Sequence, residues 1–347
     1  MEKQRFYSEM AQDALERSAV FSRVEKTAVS KKIELSYINL HDFALAKSIG
    51  KKRGVYFTFD CKVDLFRDER EKKRLIKALA GAIRQTAEML LPKSPVVLVV
   101  GLGNEGMTAD ALGPQTASMV SVTRHLLERS REAETLISKS LTNINSKNDN
   151  SKNDNSRSDN SESMQKEVAA APGKQNNAKS SGERRNHSKN GRALIAAISP
   201  NVLGETGVQS FDVVRGVCDR IKPDLVVLVD TLCTSRPERL YSSFQLTTAG
   251  ISPGSGVGEK RPGFDQNSLL VPVLAIGVPL VANVGEVMKD ALTDYCKRQN
   301  CALNYSYIEQ IIRGKLKGNV ILAPKEIDYV VTECARIIAS SINQAFL

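Results

Sequence analysis

Apolar residues follow two rhythms along this chain. Short continuous runs, rich in β-branched residues, occupy positions 95–100 (Pro-Val-Val-Leu-Val-Val), 193–198, 225–229 (Leu-Val-Val-Leu-Val) and 271–277. Runs of this length and composition read as strands covered on both faces. Residues 55–61 predict an N-terminal strand, and residues 244–247 a short one. Pro272 suits only the start of its strand, because proline cannot donate to a ladder. Between these runs the apolar spacing becomes helical. Leu75, Leu79, Ile83 and Leu90 predict a helix over 69–91 that Pro92 ends. A second helix is expected over 115–131. Phe211, Val214, Cys218 and Ile221 mark a third that stops before Pro223. Two C-terminal helices close the chain, the last carrying Ile327, Val330, Val331, Cys334, Ile337, Ile338 and Ile342 on one side. Strands alternating with helices predict an α/β fold with a doubly wound, mostly parallel sheet.

One stretch breaks the rhythm. Residues 146–150 (Ser-Lys-Asn-Asp-Asn) repeat at 151–155 and recur in altered form at 156–160, and Asn, Ser, Lys and Gly dominate 140–192. Such a composition buries too little apolar area to offset chain entropy, which predicts disorder. Closing a loop of about 50 residues rather than about 10 costs only about 1.5 kcal/mol. The stretch therefore reads as an insertion within a single domain rather than a linker between two.

The formal charge of the 347-residue chain is +10. The insertion, with ten basic and six acidic residues, supplies part of it, so the remaining excess is weak evidence for nucleic-acid binding. No apolar run is long enough to span a membrane, and the N-terminus lacks the apolar core of a secretion signal. The six cysteines are scattered without a C-x-x-C pair and read as small buried hydrophobes in a reducing cytoplasm.

Two aspartates stand out against this background. Asp230 follows one strand run, and Asp110 lies in the loop leaving another. Ligands in open α/β sheets bind beyond the carboxyl ends of such strands, and two carboxylates brought together there share a proton and can activate water. Taken singly, each has a plainer reading, Asp110 as a helix cap and Asp230 as an acceptor for nearby amides. Residues 101–106 (Gly-Leu-Gly-Asn-Glu-Gly) formally match G-x-G-x-x-G through Gly101, Gly103 and Gly106. A dinucleotide site would need a helix opening in that loop and an acidic residue about 20 positions on, and neither is apparent. The loop otherwise reads as a tight turn at the sheet edge. His125 is the one histidine placed to serve a serine or cysteine nucleophile, and no H-E-x-x-H is present. The glycine-rich loop over 250–263 reads as a flexible rim. Arg236 and Arg239, just after Asp230, are candidates to pair with an acidic substrate residue. A nucleotide-binding oxidoreductase using the 101–106 loop, and a non-catalytic module holding acidic proteins through basic loops, stay open as alternatives.

Several ordered runs resemble the germination (spore) protease family. They include Val99-Val100-Gly101-Leu102-Gly103-Asn104, Thr108-Ala109-Asp110-Ala111-Leu112-Gly113-Pro114, and Thr123-Arg124-His125-Leu126. They continue in Ser199-Pro200-Asn201-Val202-Leu203-Gly204-Glu205, Lys222-Pro223-Asp224, residues 250–261, Ile276-Gly277-Val278-Pro279 and Ala323-Pro324-Lys325-Glu326. The resemblance implies a three-layer α/β fold related to hydrogenase maturation proteases. It implies an atypical aspartic endopeptidase that degrades small acid-soluble spore proteins in the spore core (cytoplasmic), with Asp110 and Asp230 as the catalytic pair. The hydrogenase relatives place a metal with help from a histidine. No histidine follows His187 here, so neither metal nor cofactor is expected.

The resemblance also implies a homotetramer made as a self-processing zymogen. Family substrates are cut after an acidic residue within a motif like Thr-Glu-(aromatic or aliphatic)-Ala-Ser-Glu. Ser8-Glu9-Met10-Ala11-Gln12-Asp13 has a similar chemical sequence. Cleavage between Glu9 and Met10 would make residues 1–9 a propeptide and 10–347 the peptidase domain. An ordinary helix start capped by Ser8 is the competing reading.

Overall fold

The structure is a computed structural model that describes residues 9–16, 24–88, 91, 95–126, 193–252, 263–300, 305–316 and 320–347. The expected insertion at 140–192 and most of the candidate propeptide lie outside the described residues, as does the tip of the 250–263 loop. The chain divides into two compact units, residues 1–124 with 190–347, and residues 125–189. Of the second, His125 and Leu126 alone are described.

In chain order the elements of the first unit are α1 (Ala11–Glu16), β1 (Val24–Ala28), β2 (Ile33–Leu40), α2 (Phe43–Ser48), β3 (Gly54–Cys61), α3 (Glu69–Glu88), β4 (Val96–Gly101), α4 (Leu112–Met119) and β5 (Leu194–Ile198). They continue with α5 (Leu203–Thr206), α6 (Ser210–Ile221), β6 (Leu225–Thr234), β7 (Ser243–Thr247), α7 (Gln266–Leu269), β8 (Val273–Asn283), α8 (Val284–Arg298), α9 (Tyr305–Lys315), β9 (Ile321–Leu322) and α10 (Ile327–Phe346). The strands form one mixed sheet in the order β1-β2-β3-β7-β8-β6-β4-β5, with β9 against β8.

The expected parallel sheet is half of what is seen. The β8–β6, β6–β4 and β4–β5 pairs are parallel, while the β1–β2, β2–β3, β3–β7, β7–β8 and β8–β9 pairs are antiparallel. Antiparallel neighbours can be joined by a short turn, as β1 and β2 are, whereas parallel ones need a crossover. β1 and β2 escaped the sequence reading because β1 is exposed along nearly its whole length and β2 interrupts its apolar positions with polar residues, including a buried Ser36.

The apolar runs serve two faces at once. In β6, Val227 and Val229 pack with α3, α4 and α10, while Val226 and Leu228 pack with Val214 and Cys218 of α6. Three layers result, with helices on both sides of the central strands. α10 buries Val330, Val331, Cys334, Ile337, Ile338 and Ile342, as its periodicity predicts. Cys61, Cys218, Cys233 and Cys334 are buried and free. No helix of the described residues is long and apolar enough to cross a membrane.

Three expectations need correcting. The helix placed over 115–131 runs from Leu112 and is broken after Met119; residues 124–126 are helical again, and 127–131 lie outside the described residues. Thr123 then joins the edge of β5, its N–H donating to the Ile195 carbonyl at 2.9 Å and its hydroxyl accepting from the Ile195 N–H at 2.9 Å. Three helices rather than two follow β8. β6 does not stop at Asp230 but continues to Thr234, with a bulge between Leu232 and Cys233 where β8 carries Pro279. A proline cannot keep a central ladder regular, so the register shifts there.

Two glycines permit the crossing that delivers the loop after β4. A side-chain carbon on Gly101 would collide with the Gly113 carbonyl, and one on Gly113 with the Leu102 and Val229 backbone. Gly101→Ala or Gly113→Ala is expected to destabilise by about 1–3 kcal/mol or more, because backbone rather than a mobile side chain must give way. Gly81→Ala and Gly216→Ala, in helices and facing open space, should instead stabilise by about 0.5–1 kcal/mol. Urea titration checks both. A Gly113→Ala midpoint equal to wild type would contradict the close crossing.

Candidate active site

β4 leads to β5 on one side, and the chain then crosses back to place β6 on the other. The connections leave on opposite faces, α4 within one core and α6 within the second. The gap between the carboxyl ends of β4 and β6 is therefore a topological switch point, the usual ligand crevice of such sheets. β4 pairs with β6 as far as Gly101 opposite Val229. Asp230 is thus the first β6 residue past the end of β4.

The 101–113 loop brings Asp110 to the same place. Leu102 N–H donates to the Val229 carbonyl at 2.8 Å, so the loop keeps hold of β6 as it leaves. It turns through Asn104, whose side chain accepts from Gly106 N–H at 2.7 Å, and reaches a short 3-10 turn over Thr108–Asp110. Gly103, at φ 114°, has Asp110 packed where a side chain would stand. The interior of the glycine loop is thereby filled by its own chain, and α4 begins six residues past Gly106. Asp110 does not cap α4, whose first turn has no side-chain cap. Its Oδ2 instead accepts from Asn104 N–H at 2.9 Å.

Asp230 is buried and Asp110 half-buried. Burial pushes the Asp230 carboxyl well above the ordinary carboxylate range. The charge of Asp110 adds to this, then that of Glu9, while the Thr231 N–H, donating to Oδ1 at 2.9 Å, opposes them. The structure therefore brings Asp110 and Asp230 into electrostatic contact, with Asp230 favouring its protonated form.

Glu9 is the third acid of the crevice. Its N–H donates to the Cys233 carbonyl at 2.8 Å, and its carboxylate accepts from Cys233 N–H at 2.8 Å. Met10, beside it, is fully buried. Burial, then the Glu9 charge, pushes the Cys233 thiol up to about 12, so it stays a protonated thiol. The two candidate arginines part company. Arg239 is buried in an ion pair with Asp13, while Arg236 is half-buried, its guanidinium 3.9 Å from Glu238. Asp13, Thr234, Ser235 and Gln245, which hold the N-terminal segment, escaped the sequence reading. Each contact spans more than 220 residues, and no local pattern marks it. A cleft floored by Gly277 adjoins this region, bounded by Leu232, Gln245, Thr247 and Lys52. Among the described residues no group of three His, Cys, Asp or Glu side chains is placed to hold a metal ion.

The sign of the Asp230 displacement sets a stability test. Its folded-state value exceeds its unfolded one, so the native protein keeps a proton that the unfolded chain releases. Stability falls as pH rises between the two values, and the cost vanishes below about pH 4. Asp230→Asn keeps an acceptor for Thr231 and removes the charge. It should stabilise the fold near neutral pH, with the gain shrinking toward zero in acid. Thermal melts across pH read this directly, and a gain that persists unchanged in acid would exclude charge burial as its source.

A family profile described as germination protease matches residues 1–139 and 184–300. A germination protease of Caldanaerobacter subterraneus subsp. tengcongensis is 32% identical over 90% of this chain and 84% of its own length. One from Halalkalibacterium halodurans is 30% identical over 93% and 84%, and one from Clostridium acetobutylicum 28% identical over 90% and 84%.

Proposed function

The chain belongs to the germination protease family and is a peptidase, and we propose that Asp110 and Asp230 are its catalytic pair. The observation that carries this reading is the buried Asp230 carboxyl, displaced upward with the charge of Asp110 beside it. Near neutral pH the pair would hold one proton, on Asp230. The Asp110 carboxylate takes a proton from water as the water oxygen attacks the scissile carbonyl. Asp230 donates its proton to the developing oxyanion, giving a gem-diol; on collapse Asp230 takes a hydroxyl proton back as the carbonyl reforms, and the amine leaves with the proton held by Asp110, which restores the starting state. Two carboxylates with environments this different divide acid and base roles without a third group.

The substrates in this reading are small acid-soluble spore proteins of the spore core, cut after an acidic residue. Glu9 supports it as an acidic residue held beside Asp230 by the chain's own backbone. The same position supports a zymogen that cuts itself between Glu9 and Met10. The homotetramer belongs to the same proposal. So does kinship of fold with the hydrogenase maturation proteases, which the placement of the pair at a switch point supports.

Incubation of the purified protein with a small acid-soluble spore protein, read by mass spectrometry, tests the assignment. Asp110→Asn and Asp230→Asn should each fold and lose cleavage by about 10²–10⁴-fold. Wild-type activity should fall at high pH as Asp230 gives up its proton. Full activity in either variant removes that residue from the mechanism. The mature N-terminus is expected at Met10, and Edman sequencing that finds a different end refutes the Glu9–Met10 assignment.

A further inference from the structure

Gln245 is an unusual residue for the middle of a sheet. It lies on β7, between β3 and β8, and it is buried. An amide taken out of water destabilises the fold unless it is hydrogen-bonded. The ladder sets Gln245 in a row that crosses the sheet from Thr58 of β3, through Gln245 and Gly277 of β8, to Asp230 of β6. Residues opposite one another share a face, so Gln245 and Asp230 stand on the same side with a glycine between them. The partner of Gln245 comes from outside the sheet. Its Oε1 accepts from the buried Ala11 N–H at 2.8 Å, across 234 residues of sequence. β6 supplies a matching contact. Past Val229 it has no β4 residue opposite it, and the Cys233 carbonyl there accepts from Glu9 N–H at 2.8 Å.

We infer that Gln245 is a positioning residue for substrate. With the Cys233 carbonyl, its side-chain oxygen clamps a bound peptide by two main-chain N–H groups, one before and one after the bond to be cut. That the clamped chain is a substrate rests on the aspartate-pair reading above. That the clamp takes main chain rests on the contacts alone.

The two contacts bracket the Glu9–Met10 peptide bond. One hold would leave the peptide free to swing about it, whereas two fix how the intervening carbonyl faces the aspartates, and orientation of that kind lowers the barrier. The clamp reads no side chain, because every residue except proline carries the N–H it needs. It is also built in advance. β7 is held by β3 on one side and β8 on the other, and β6 by β8, so neither acceptor has to move to meet the chain. The chemistry favours glutamine at this position over its acid. Glutamate would accept from the same N–H, but it would bring another negative charge to a face that already holds Asp230, with Glu9 nearby. A neutral amide oxygen accepts without that repulsion.

The test uses the full-length protein and two synthetic peptides copied from residues 4–17, one native and one with an ester oxygen in place of the Ala11 N–H. The ester keeps every side chain and removes one main-chain donor. The chain's own segment competes equally with both peptides, so the ratio of their kcat/KM values is unaffected by it. The native peptide should be cut about fivefold more efficiently or better, at the same bond, because the ester leaves a buried acceptor without its donor. In Gln245→Met protein, which keeps the length of the side chain and removes the amide, the ratio should fall to near one. A glutamine that merely supported the fold would slow both peptides together in that variant and leave the ratio at its wild-type value, which overturns the inference. Equal cutting of both peptides by the wild-type protein overturns it too, without touching the catalytic pair. Should Gln245→Met fail to fold, Gln245→Asn, which draws the acceptor back by one methylene, should lower the ratio several-fold, and an unchanged ratio counts against the clamp. Binding of the uncut peptides to Asp110→Asn protein, by calorimetry, separates the two readings. Tighter binding of the native peptide with no cleavage by any form upholds the clamp and sinks the peptidase mechanism, whereas no preference in binding or cleavage sinks the clamp.

Discussion

A buried carboxylate beside another carboxylate resists ionisation, and the crevice is organised around that resistance. Water no longer stabilises the charge of Asp230, and the charge of Asp110 repels it. Everything nearby serves to keep the two together despite the repulsion. The Gly101–Gly113 crossing leaves no room for a side chain, so the loop is pressed onto β4 and β6. Asn104 N–H then fixes one oxygen of Asp110, and Thr231 N–H one oxygen of Asp230. Each donor comes from backbone, which cannot rotate away as a side chain would.

The N-terminal segment adds to this tension. Glu9 brings a further negative charge to Asp230, held there by the Cys233 peptide. Four residues later the polarity reverses, and the fully buried Asp13 meets the buried Arg239 in an ion pair. Breaking such a pair leaves an uncompensated charge, so the segment is anchored more firmly at Asp13 than at Glu9. In the proposed mechanism this anchoring holds the bond after Glu9 near the pair while the rest of the segment stays in place.

The sequence was most informative where one element decides the outcome. Continuous apolar runs marked β4, β5, β6 and β8, because strands buried on both faces leave little room for polar residues. The periodicity of α10 named its buried positions correctly. Asp110 and Asp230 were legible as candidates because each follows such a run. Their electrostatic contact was not, since it depends on the order in which the strands sit side by side. The end of α4 was misjudged because the pull on Thr123 comes from β5, some 70 residues away in sequence. Arg239 was named as a partner for an acid, but the acid turned out to include Asp13 of its own chain, a contact that spacing cannot reveal.

The central claim is that one proton is shared unequally by Asp110 and Asp230, and carbon-13 NMR of protein labelled at the aspartate carboxyls measures it directly. The Asp230 resonance should report a protonated carboxyl in neutral solution, and Asp110→Asn should shift its titration toward lower pH as the neighbouring charge is lost. An Asp230 signal that titrates like an exposed aspartate, unmoved by that substitution, would contradict the account.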